Sequence, residues 1–118
     1  MEINLFDRHG KAVAYISDDG EDSIYLWDGH AVAYIDSEIV YGWSGHHLGW
    51  FIDGIIYDTH GQRVGFVSSK CPVAAFAAPA KYAKYAKPAK YAKYAPRARA
   101  SLSTAISDKP LGMFLSQK

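Results

Sequence analysis

A single cysteine, Cys71, stands in 118 residues, so no intramolecular disulfide staples the chain and packing alone must hold the fold. No apolar run approaches the ~20 residues that a membrane-crossing helix needs. Met1-Glu2-Ile3-Asn4 has neither a basic nor an apolar leader region, and the expectation is a cytoplasmic protein with no transmembrane segment. Glycine-rich phosphate loops, HExxH and paired carboxylates at a recognisable spacing are all missing, and Ser44 and Cys71 have no motif around them. Neither enzymatic activity nor a cofactor is expected. Acid is the scarcest feature of the second half. Residues 68–118 contain ten basic residues against Asp108 alone, a net of +9, whereas residues 1–67 contain three basic against eleven acidic residues, a net of −8. That asymmetry suits a tail that either lies on its own domain or reaches for a polyanion.

The first 67 residues repeat a pattern four times. Gly10, Gly29, Gly45 and Gly61 are each followed, three residues on, by Val13, Val32, Leu48 or Val64. Next come a small residue (Ala14, Ala33, Gly49, Gly65), an aromatic (Tyr15, Tyr34, Trp50, Phe66) and an apolar residue (Ile16, Ile35, Phe51, Val67). Another aromatic precedes each turn: Phe6, Trp27, Trp43 and Tyr57. A short fixed period means one supersecondary unit used repeatedly, unable to bury its apolar face alone. Each unit reads as a β-hairpin: Ile24-Tyr25-Leu26-Trp27 runs into Asp28-Gly29, the pair favoured in two-residue type I′ turns. Asp7–Gly10 and Asp58–Gly61 read as longer turns. The return strands are apolar on both faces, which places them in a closed or stacked arrangement. Four equivalent small residues suggest backbones crowding a common axis.

The expected fold is therefore all-β, with four β-hairpin repeats in a pseudo-four-fold closed barrel or rosette. Two stacked meander sheets are the alternative. The division predicted is a repeat domain over 1–70, a basic Pro/Ala/Lys/Tyr linker over 71–101 and a C-terminal apolar docking segment over 102–118. These residues resemble the bacterial four-fold β-flower family, whose members carry segments like Leu5–Ile16, Ile24–Ile35 and Gly45-His46-His47-Leu48-Gly49-Trp50-Phe51. The resemblance spans residues 2–67, with an echo at Leu111–Leu115. It implies a fold of hairpin petals about an axis and carries no catalytic residue. Asp58–Val64 alone also resembles a tyrosine-aspartate repeat of toxin shells, but four copies in so short a chain argue against that.

The tail uses a nine-residue unit twice, Pro79–Lys87 and Pro88–Ala95 followed by Pro96. Proline every eight or nine residues breaks helix, so an extended segment is expected. Its candidate binding residues are Lys81, Tyr82, Lys84, Tyr85, Lys90, Tyr91, Lys93 and Tyr94. Lysine neutralises phosphate while tyrosine stacks on bases, so residues 79–99 fit a nucleic acid or an anionic surface as partner. The bland alternative is a linker folding back on the acidic domain. Phe6, Trp27, Trp43 and Tyr57 are candidates either for core or for a partner surface. The sequence points to a non-enzymatic binding module. An assembly protein whose C-terminal segment docks on its own or another copy's repeat domain is the second reading. The third is a metal-dependent enzyme using His9, His30, His46, His47 and His60, with Asp7, Asp28 and Asp58, around one turn rim.

Overall fold

In a computed structural model, which describes residues 2–117, eight strands pair antiparallel in chain order. They are β1 (Ile3–Phe6), β2 (Ala12–Ile16), β3 (Ser23–Leu26), β4 (Ala31–Asp36), β5 (Ile39–Gly42), β6 (His47–Ile52), β7 (Ile55–Asp58) and β8 (Arg63–Phe66). The meander closes on itself through Phe6 opposite Phe66, so it is a barrel. The molecule is a disc of 37 × 36 × 22 Å.

Turn chemistry sets the register. At all four hairpin tips the loop has three residues and ends in a left-handed glycine, with Gly10, Gly29, Gly45 and Gly61 at φ +81° to +98°. Each glycine N–H donates to the carbonyl of the residue three before it: Asp7, Leu26, Gly42 and Asp58. Further along the hairpin the pairing slips by one residue, at Val13, Val32, Leu48 and Val64, three residues past each glycine, where the return strand bulges. The two-residue type I′ turn expected at Asp28-Gly29 is thus corrected, because of that pair only Gly29 has positive φ. Type I′ turns instead join the hairpins, at Ser37-Glu38 (φ 51° and 70°) and Asp53-Gly54 (φ 52° and 79°).

Inside the barrel each hairpin contributes one large and one small residue, directly opposed: Leu5 with Ala14, Ile24 with Ala33, Val40 with Gly49, and Ile56 with Gly65. The small members do more than let strands crowd. Beside Gly49 lies the Phe114 ring and beside Gly65 the Leu111 side chain, both from the helix α1 (Leu111–Leu115). Leu111, Phe114 and Leu115 are almost fully buried in the same apolar cluster as Leu5, Ile24, Val40 and Ile56. A closed barrel can be entered only at an end, so α1 plugs one. Burying three large side chains enlarges a core that 67 residues alone would leave marginal.

Candidate functional site

Alternation along each strand puts an aromatic next to every interior residue, on the opposite face. Phe6, Tyr25, Tyr41 and Tyr57 precede the tips, and Tyr15, Tyr34, Trp50 and Phe66 follow them, all nearly fully buried. They pair across the seams between hairpins: Tyr15 with Tyr25, Tyr34 with Tyr41, Trp50 with Tyr57 and Phe66 with Phe6. The first two pairs stack with ring centroids 5.6 Å apart, and Trp27 and Trp43 stand edge-on against Tyr15 and Tyr34 at 5.8 and 5.7 Å. The expected single ring of Phe6, Trp27, Trp43 and Tyr57 is corrected. Phe6 and Tyr57 lie four residues before their glycine but Trp27 and Trp43 only two, so the true equivalents of Phe6 are Tyr25 and Tyr41.

What buries the outer face is the segment from Lys70 to Ala105. Ala74, Ala83, Ala92 and Ser101, nine residues apart, bring their carbonyl oxygens onto Gly10, Gly29, Gly45 and Gly61 in turn. Two residues later the N–H groups of Phe76, Tyr85, Tyr94 and Ser103 donate to the carbonyls of those same glycines, at 2.9–3.0 Å. The segment is a belt, one nine-residue unit per hairpin tip. It needs no strand or helix of its own, because the tips accept its backbone donors. Residues 71–101 therefore lie on the barrel rather than leading away from it.

The belt's lysines point inward. Lys81 Nζ lies 4.7 Å from the Tyr15 ring and 5.3 Å from Trp27, and Lys84 Nζ lies 5.2 Å from Tyr25. Glu2 closes this cleft with its two carboxylate oxygens, 3.0 Å from Lys81 and 2.8 Å from Lys84. The next seam repeats the arrangement with Lys90 over Tyr34 and Trp43 (4.2 and 5.3 Å), Lys93 over Tyr41 (5.5 Å), and Glu21 and Asp36 as the carboxylates. Lys87, between them, bridges Asp19 and Glu21. Ammonium groups facing aromatic walls at right angles to each other, with a carboxylate alongside, gain both cation–π and ionic attraction. Tyr82, Tyr85, Tyr91 and Tyr94 face out and are 69, 58, 69 and 59 % exposed.

Of the expected site residues, the structure brings Trp27, Trp43 and the four lysines together, leaves the four tyrosines on the rim, and keeps Phe6 and Tyr57 in apolar seams. Sequence reasoning passed over Tyr15, Tyr25, Tyr34 and Tyr41 as cleft walls and Glu2, Asp19, Glu21 and Asp36 as counter-charges. Their +5 and −4 spacing from the glycines was the available signal. The turn histidines do not converge. His30 stacks on Tyr85 and His46 packs on Tyr94, at 4.2 and 4.4 Å, while the His47 ring lies 3.0 Å from the Gly49 carbonyl. Among the described residues no three of His, Cys, Asp and Glu gather as a metal site would require, nor is any helix long and apolar enough to cross a membrane.

The charged contacts set a pH window. Lys84 and then Lys81 hold Glu2 below the usual carboxylate range, Lys87 and Lys90 do so for Glu21, and Lys93 for Asp36. Burial opposes ionisation of Asp19, but Lys87 and the N–H groups of Glu21 and Ser23 outweigh it and hold it well below its ordinary value. Lowered carboxylates stabilise the folded state above their unfolded pKa and lose that contribution as pH falls through the lowered values, below about 4. Lys84, Lys87 and Lys93 are raised by Glu2, Asp19 and Asp36. Their contribution is complete below the ordinary lysine value and is lost as pH rises beyond about 10.5. In a Trp50→Phe variant, the emission of Trp27 and Trp43 is expected to stay constant from pH 5 to 9 and to change below 4 and above 10.5. A profile flat from pH 2 to 12 would rule out ionic latching of the belt.

The molecule is thus an up-and-down barrel of four sibling hairpins, wrapped by its own basic segment and stoppered by a short helix. The family described as 4-fold beta flower protein matches residues 3–115, and the chain belongs to it. That match takes in the belt as well as the four hairpins and the echo at Leu111–Leu115 that carried the sequence resemblance. No curated protein and no solved structure matches the chain.

Proposed function

We propose that this small β-barrel domain is a non-enzymatic interaction module whose contact surface is the outward edge of the belt, met by a partner protein. One observation carries the reading: Tyr82, Tyr85, Tyr91 and Tyr94 are held out on backbone pinned to hairpin tips, more than half exposed. Tyrosines on rigid backbone offer large contact area with little ordering entropy to lose, the property that makes them anchors in interfaces. Val73 and Phe76, 48 and 69 % exposed, carry the apolar edge onto the first tip. The inward lysines argue against a nucleic-acid arm, because cations paired with Glu2, Asp19, Glu21 and Asp36 are not free to displace counterions from phosphate.

The test pairs two measurements. Changing all four tyrosines to serine is expected to leave the melting temperature within a few degrees while abolishing capture of a partner protein from lysate of the source cells. Binding of a fluorescent oligothymidylate at physiological salt is expected to be negligible. Tight oligonucleotide binding that weakens steeply with salt would overturn the reading in favour of a polyanion partner.

A further inference from the structure

The two lysine clefts share their aromatic walls and their belt backbone contacts, and differ in that one carboxylate serves both lysines of the first and two serve those of the second. Tyr15, Tyr25, Trp27 and Glu2 build one, and Tyr34, Tyr41, Trp43 and Glu21 with Asp36 build the other. The belt units that fill them share the sequence Pro-Ala-Lys-Tyr-Ala-Lys-Tyr-Ala, at 79–86 and 88–95. Either unit therefore matches either cleft. The remaining contacts at these tips are backbone hydrogen bonds, from Tyr82 and Tyr85 to Trp27 and Gly29 and from Tyr91 and Tyr94 to Trp43 and Gly45, together with the ring contacts His30–Tyr85 and His46–Tyr94 and the Trp43 indole N–H donated to the Pro88 carbonyl. None depends on the belt and the barrel belonging to one chain. Nor does the belt lend the barrel a strand, and the barrel closes between β1 and β8 before the belt begins.

From these features we infer that the clefts are receptor sites for a lysine pair three residues apart in an extended chain, and that a second copy of this chain supplies it by exchanging belts. Charge complementarity selects that occupant. Residues 79–99 carry seven cations and no acid, against the barrel's net −8, so the belt of any copy is attracted to the barrel of any other. The exchanged belt brings its helix with it, and Leu111, Phe114 and Leu115 complete the partner's core as they complete their own. The exchanged dimer thus repeats every contact of the monomer, as in domain swapping. Its rival is the chain's own belt, which acts at an effective concentration on the order of millimolar. Exchange is accordingly favoured where copies are crowded or where acid has first released the belts.

A charge-swap pair tests this. One chain carries Glu2→Lys and Glu21→Lys, so its barrel repels its own belt. The other carries Lys84→Glu and Lys90→Glu, so its belt is repelled by its own barrel. Mixed and refolded together, the two are expected to form a reciprocal 1:1 complex of twice the 13.0 kDa chain mass by light scattering, each belt now on the barrel of matching charge. Each alone is expected to give less than a tenth of that species. For the unmodified chain, holding about 1 mM protein at pH 3 and returning it to pH 7 is expected to raise the dimer fraction at least tenfold over an untreated sample. Failure of the mixed variants to form the complex, or a wild-type chain that stays monomeric throughout, overturns the inference; a tyrosine-to-serine belt that still exchanges separates it from the partner surface proposed above.

Discussion

Phe114→Ala is expected to remove about 4 kcal/mol of stability, the usual cost of deleting a buried phenyl ring. Phe114 is 2 % exposed within the barrel core and its ring rests beside Gly49. The cavity has little means of collapsing, because four hairpins in a closed ring cannot move inward independently. For a chain of this size the loss corresponds to a melting temperature lower by roughly 15 °C. Met113 is the control. It sits in the same helix but is 64 % exposed, so Met113→Ala is expected to change stability by less than about 0.5 kcal/mol. Thermal denaturation of the two variants side by side decides the matter. Equal losses would mean that α1 does not enter the barrel.

Gly45→Ala is expected to cost about 3 kcal/mol and to free the belt from the third tip, whereas Gly20→Ala costs only about 1. Both glycines have left-handed φ, +94° and +84°, so both substitutions incur the same backbone strain. What differs is the space. A Cβ on Gly45 would stand 2.1 Å from the Ala92 carbonyl oxygen, while one on Gly20 meets nothing within 4 Å. The Ala92 carbonyl cannot step aside without breaking the Tyr94 N–H bond to Gly45. Limited trypsin digestion reads the effect directly, since cleavage at Lys90 and Lys93 is expected to accelerate several-fold in Gly45→Ala only. Similar digestion of the two variants would show that the belt is not seated on the glycine.

Much of this architecture was legible in the sequence, and its blind spots have physical reasons. The repeated glycine, small residue and aromatic gave four hairpins and closure, because turn conformation and alternation leave side-chain signatures. Trp27 and Trp43 sit inside their three-residue tips, where an aromatic mimics the strand aromatics Phe6 and Tyr57, so they were aligned with those two while Tyr25 and Tyr41 went unmatched. The belt was harder still. Its nine-residue period is written in lysine and tyrosine at only two units. At Ala74 and Phe76, and again at Ser101 and Ser103, the same period continues through backbone carbonyls and N–H groups that any residue supplies. The two complementary net charges were plain, and whether they met within one chain depended on that unwritten part. For Lys81 and Lys84 the deciding residue was Glu2, which lies just before the first strand and has no counterpart in the repeated pattern.

The stopper helix also ties the order of events in folding to chain length. Leu5 and Leu111 share one apolar cluster although more than a hundred residues separate them, so the interior stays wet until the helix has emerged from the ribosome. A nascent chain that has made all eight strands but not yet the belt or residue 111 is a ring without its stopper, its outer tyrosines bare as well. Contacts this distant in sequence form slowly, and during that interval the unfinished ring depends on chaperones, or on a neighbouring chain, to cover what its own C-terminal residues have yet to reach.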